Sequence, residues 1–144
     1  MATLVPPGHH TLTPAFIVPD CGRVMSFIEA ALGGVVVERY GTPEGVVHHA
    51  EMRVGDSMLM MGDPPPGGEA RPATLGIFVD DCDATYARAL AAGATSVEGP
   101  RDMFYGYRTA RIVDPGGNKW AIQQVLELLD KQQIEERMAA AHRG

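Results

Sequence analysis

The feature that most constrains this chain is an internal repeat. FIVPDC at 16–21 recurs as IFVDDC at 77–82, aligning Val18 with Val79, Asp20 with Asp81 and Cys21 with Cys82 at an offset of 61 residues. Each copy reads as a strand that turns into a helix at an aspartate. After the first, Val24, Phe27, Ile28 and Ala31 fall at helical spacing, and Gly33-Gly34 closes the run. After the second, an Ala-rich run ends at Gly93. Asp20 and Asp81 are the expected N-caps of helices over 22–32 and 83–92. A repeat of this kind is one supersecondary unit used twice.

Each copy is followed by a hairpin. The later one is the clearer: RTARIVDPGGNKWAIQQ at 108–124 alternates apolar and polar residues on both sides of Asp114-Pro115-Gly116-Gly117. Proline presets φ at the first corner, and glycine accepts a positive φ without steric cost. MRVGDSMLMMGD at 52–63 is its fainter relative. With the strands begun by Val35-Val36-Val37 and Thr95, each unit becomes βαβββ. The expected fold class is α+β: two tandem units forming a curved mixed sheet with helices on its outer face. The expected boundaries are 11–63 and 74–126 for the units within a single domain, 1–144. Pro- and Gly-rich 64–73 is the linker, since proline cannot donate to a ladder. Residues 130–143 should form a C-terminal helix, with Asp130 and Gln133 spaced as a capping box. Ile134, Met138 and Ala141 give it one narrow apolar stripe, suited to a partner surface or a neighbouring subunit.

Composition limits the partners. A formal net charge of −6, with no Lys/Arg cluster, argues against nucleic acid. No run of about 18 apolar residues suggests a membrane span. MATLVPPGHH lacks the basic start of a signal peptide. Cys21 and Cys82 read as small packing residues in a reduced, cytoplasmic protein. The pair His9-His10 is not expected to ligate metal, because adjacent residues of an extended chain point opposite ways.

Strand parity predicts which residues line the open face. Ala50, Met52, Val54, Ala110, Ile112, Trp120 and Ile122 should pack under the helices. The open face then receives Thr13, Ala15, His49, Glu51, Arg53, Met58 and Met60 from the first unit. From the second it receives Thr74, Gly76, Phe78, Tyr107, Thr109, Arg111, Ala121 and Gln123. The candidate ligand-binding set is His49, Glu51, Met58, Met60, Phe78, Tyr107, Thr109, Arg111 and Gln123, with Phe104 and Tyr105 from the loop RDMFYG at 101–106. Methionine and aromatic surface with a few convergent polar groups is how small-molecule pockets are built. Glu51 and Arg111 are expected to pair in the empty site.

PPGHHTLTPAFIVPD, HAEMRVGDSMLMMGD and YGYRTARIVDPGGNKW, in that order, with IEERMAAA in the tail, resemble the vicinal oxygen chelate superfamily of glyoxalase, bleomycin-resistance and extradiol-dioxygenase proteins. Within it they are most similar to the PhnB-like branch. The resemblance implies a homodimer. It also places the superfamily's metal ligands at Thr13, Met60, Thr74 and Ala121, where none of the four side chains suits a divalent ion. The expected function is therefore metal-independent binding of a small molecule, with no cofactor. The alternatives are a lyase-, isomerase- or dioxygenase-type enzyme using His49 and Glu51, with or without a displaced metal, and a structural protein with a filled cup.

Overall fold

The computed structural model describes residues 4–143. The chain runs β1 (Ala15–Ile17), α1 (Cys21–Leu32), β2 (Val35–Gly41), β3 (Val47–Val54), β4 (Ser57–Gly62), β5 (Thr74–Phe78), α2 (Cys82–Ala91), β6 (Thr95–Asp102), β7 (Tyr107–Val113), β8 (Lys119–Val125) and α3 (Lys131–Ala141). This is βαβββ twice, followed by a helix. Each unit carries its own four-stranded mixed sheet: sheet A in the order β1-β4-β3-β2 and sheet B in the order β5-β8-β7-β6. The first and last strands of each unit pair in parallel, and the remaining pairs are antiparallel.

The registers bear out the parity reading. Ala50 lies opposite Met61 and Met52 opposite Leu59, and all four are buried toward the helices. Ala110 opposite Ile122 and Ile112 opposite Trp120 do the same in sheet B. The two layers merge into one core containing Phe16, Phe27, Ile28, Met52, Ile112 and Ile122. α1 lies against α2, whereas no strand of one sheet makes substantial contact with a strand of the other. The helices form the seam between the units, and both open faces point away from it.

The repeat extends to its polar contacts, with one correction. Asp81 caps α2 as expected, accepting from Ala84 N at 3.0 Å. Asp20 does not cap α1: it sits at φ 53 and its side chain makes no cap bond. The first turn of α1 is instead held from just past β4, where Asp63 accepts from Cys21 N at 3.0 Å and from Val47 N at 2.7 Å. At the equivalent place in the second unit, Gln124 of β8 accepts from Cys82 N at 2.9 Å. Both cysteines are free and buried, and burial pushes the Cys21 thiol up to about 12, which leaves it inert.

The element bounds depart most from expectation at β6, which enters the stretch 101–106 expected as a loop, and at β1. β6 continues to Asp102 through Gly99-Pro100, because an edge strand tolerates irregular register there. β1 is only three residues long, since Pro14 contributes a carbonyl to Met60 N but no donor. The capping box of α3 forms as expected, Gln133 N donating to Asp130 at 2.9 Å and Asp130 N to Gln133 at 3.0 Å.

The β7–β8 turn is built around a buried carboxylate. Asp114 Oδ1 accepts from Gly116 N at 2.8 Å and Asn118 N at 3.1 Å, while Oδ2 accepts from Asn118 Nδ2 at 2.9 Å and Trp120 Nε1 at 2.8 Å. Asn118 Oδ1 then accepts from Ala73 N at 2.9 Å, tying the turn to the start of β5. Asp114→Ala strands two buried side-chain donors, so it should lower unfolding free energy by about 2–4 kcal/mol. Urea denaturation checks this, and a loss below about 0.5 kcal/mol would refute it.

Candidate functional site

The polar part of the site is made by β3 and the segment that precedes β1. His49 and Glu51 are two residues apart on β3 and so share the open face of sheet A. On that face Glu51 lies opposite Met60, and Met60 lies opposite Ala15. The lead-in folds back over the sheet through a turn in which His9 N donates to Pro6 O at 3.1 Å. His9 is thereby buried against the face. Its Nε2 meets Glu51 Oε1 at 2.7 Å and its Nδ1 meets Thr13 Oγ1 at 3.2 Å. The second oxygen of Glu51 meets His49 Nε2 at 2.8 Å.

One carboxylate thus bridges two imidazoles. A carboxylate only accepts, so both Nε2 atoms are assigned the hydrogen and donate to Glu51. The Thr13 hydroxyl then donates to His9 Nδ1. The two ends differ in exposure: the His9 side chain is 4% exposed, Glu51 13% and His49 41%. Glu51 is held below its ordinary value of 4.5, first by the hydrogen bond from His49, then by that from His9, against a smaller opposing effect of burial. His49 Nδ1 has no partner among the described residues, and the His49 ring lies 6.4 Å from that of Tyr40, roughly parallel to it.

His49 also lines a groove of about 1060 Å³ at the end of sheet A where β1 and β4 finish. Ala15, Met60 and Pro64–Pro66 supply apolar wall, and Asp20 and Glu44 supply carboxylates. None of its lining residues is Lys or Arg. Met58, also on this face, is buried beneath the lead-in near Gly8.

Sheet B presents different chemistry. Phe104, Tyr105, Tyr107 and Phe78 form a row of edge-to-face rings with centroid separations of 5.2, 5.3 and 5.6 Å. Phe78 ends the row 61% exposed. Gln123 lies opposite both Thr109 and Phe78, and Arg111 lies opposite Ala121. The expected pair between Glu51 and Arg111 does not form, because both oxygens of Glu51 are taken by histidines. Arg111 makes no ion pair among the described residues; the arginine of β7 that does is Arg108, with Asp83 at 3.1 Å and Asp102 at 2.8 Å on the helix side.

The structure therefore brings His49, Glu51 and Met60 together on one sheet. It brings Phe78, Phe104, Tyr105, Tyr107, Thr109, Arg111 and Gln123 together on the other. No hydrogen bond, ion pair or ring contact joins the two sets among the described residues. The residue that sequence reasoning missed is His9. His9 and His10 do diverge, His10 reaching Asp56 O at 3.0 Å, and that divergence is what puts His9 on the sheet.

The superfamily's metal positions do not fit a divalent ion here. Thr13 is engaged by His9, Met60 offers a thioether, Thr74 a hydroxyl and Ala121 a methyl group. Among the described residues no group of three or more His, Cys, Asp or Glu side chains is disposed to hold a metal.

The depressed Glu51 pKa has a stability consequence. Its hydrogen bonds contribute fully above the ordinary value of 4.5 and are lost as pH falls through the lower folded value. Wild-type stability should therefore decline below about pH 4.5, and Glu51→Gln should flatten that decline. Denaturation at a series of pH values checks this; parallel profiles for the two proteins would show that Glu51 contributes none of it.

Comparison with known proteins agrees with the architecture. Residues 8–122 match the family model of the Glyoxalase/Bleomycin resistance protein/Dioxygenase superfamily. A protein of Mycobacterium bovis is 30% identical, the match covering 92% of this chain and 95% of that protein. Among solved structures, TioX from Micromonospora sp. ML1 superposes with a TM-score of 0.65 at 21% identity, covering 84% of this chain and 100% of that one. A glyoxalase/bleomycin resistance protein/dioxygenase family enzyme from Burkholderia phytofirmans PsJN gives 0.63 at 22% identity, covering 78% and 95%. The structural matches show the fold alone, and the family model, which spans most of the chain, shows the family. The chain belongs to the glyoxalase/bleomycin resistance protein/dioxygenase superfamily.

Proposed function

We propose that this chain is a metal-independent small-molecule-binding protein of the sequestration or resistance kind. In this reading it works as a homodimer in which the sheet A face of one copy stands opposite the sheet B face of the other. The observation that carries the reading is the complementarity of two faces that do not meet within one chain. Sheet A supplies a His–Glu–His cluster beside a groove with apolar wall, and sheet B supplies a row of half-buried rings that ends at exposed Phe78. A ligand with a flat or amphiphilic body would be clasped by rings and thioethers and oriented by the polar cluster. α3 fits the same assembly. None of its residues is buried, and Ile134 and Met138 remain for a second copy to cover. The two free cysteines suit a reducing compartment, and we place the protein in the cytoplasm.

Sedimentation at micromolar concentration should give the mass of two chains; a stable single-chain mass would remove the dimer. A thermal-shift screen of small aromatic and amphiphilic compounds should yield ligands that raise the melting temperature. For such a ligand, Phe78→Ala should weaken binding by about 0.5–1.5 kcal/mol through loss of ring contact. A folded protein that responds to no compound in the screen would favour a filled, structural cup.

A further inference from the structure

Resting on the reading that the sheet A groove binds a small molecule, we propose that His49 is the proton acceptor of that groove. Its partner is a weakly acidic O–H or N–H group carried on an uncharged, flat apolar body. The first ground is geometric. Glu51 fixes the His49 ring by accepting from Nε2 at 2.8 Å, which leaves Nδ1, with its lone pair, as the only nitrogen available to a ligand. Glu51 cannot readily swing away, because its other oxygen is held at 2.7 Å by buried His9, itself held by Thr13 at 3.2 Å. Thr13, His9 and Glu51 are positioning residues, and His49, half-exposed at the groove, is the group that meets the ligand.

The second ground is charge. When Nδ1 takes a proton, the ligand's O–H or N–H bond breaks and its electron pair stays on the ligand atom. The ring's lone pair forms the new N–H bond, and the imidazolium keeps its Nε2–H on Glu51. That hydrogen bond becomes charge-assisted and strengthens, which favours the transfer. The carboxylate is ionised throughout the neutral range, in keeping with its depressed pKa. The groups facing His49 are Glu51 and Tyr40, the latter donating to Glu38 on β2, with Glu44, Asp20, Asp63 and His48 along the groove. With no Lys or Arg lining it, the groove disfavours a ligand that arrives as an anion. The ligand therefore arrives neutral, with its body against Met60 and the prolines 64–66, where thioether and ring edges pack well.

The test uses 4-nitrophenol, whose visible absorbance reports its own ionisation, titrated into the full chain at a pH where the free probe is mainly neutral. Thermal shift records binding in parallel. Bound probe on the wild-type protein should show the phenolate band. His49→Ala, a change at a half-exposed position, should lose that band while the probe still binds, and added imidazole should restore it. Glu51→Gln should lower the phenolate fraction, because the imidazolium loses its charge-assisted hydrogen bond. Probe bound without the phenolate band, or a band unchanged in His49→Ala, overturns the proton-acceptor role and leaves the groove reading standing. A probe that does not bind overturns this ligand class, whereas the groove reading fails only if the whole compound screen fails.

Discussion

The arrangement of each unit depends on one side chain that reaches from the end of its last strand to the first turn of its helix. Asp63 does this for Cys21 N and Gln124 does it for Cys82 N. Such a contact satisfies an N–H that has no partner inside the helix. It also fixes the helix on one side of the sheet, because the reaching residue must point to the helix face. Once Gln124 points there, Gln123 and Ala121 point away, and Phe78 and Gly76 beside them do the same through the β5 register. The chemistry of both open faces follows from that choice of side.

The two units spend the same scaffold differently. Sheet B closes its hairpin with a buried carboxylate saturated by four donors, a device that the corresponding Gly55-Asp56 turn of sheet A lacks. Sheet A instead places its satisfied carboxylate on the open face, where Glu51 draws two imidazoles together. The energetic logic is common to both, since a carboxylate removed from water must be surrounded by donors. Asp114 meets that condition with backbone, side-chain amide and indole N–H groups, and the result is structural. Glu51 meets it with two imidazoles, one buried and one half-exposed at the groove.

Much of the fold was legible in the sequence because strand parity and an internal repeat are local signals. The alternation around Asp114-Pro115-Gly116-Gly117 placed Ala110, Ile112, Trp120 and Ile122 correctly, and the shared corner placed both helices. Asp20 was misread because identical residues at equivalent corners need not do identical work. Both corners have their first helical N–H bonded from the last strand, by Asp63 and by Gln124, yet Asp81 is extended and caps Ala84 N while Asp20 is left-handed and caps nothing. Half of the polar site was legible for the same local reason, as His49 and Glu51 are two apart on one strand. His9 was not. It lies 42 residues from Glu51 in an irregular segment, and no periodicity reports where such a segment folds back. The expected pairing of Glu51 with Arg111 failed on the same point, because His9 completes a site that otherwise needed a distant cation.

The lead-in segment is therefore part of the site rather than an appendage to it. His9 buries its ring on the open face of sheet A, His10 anchors to Asp56 O, and Met58 lies beneath them. A ligand that entered this face from above would have to displace a side chain bonded at both ring nitrogens. A ligand that entered along the groove beside His49 would meet no such barrier, since that ring has one nitrogen without a partner and is open on one side. The lead-in thus closes one approach and leaves the other, and it does so by using the residue that orients Glu51.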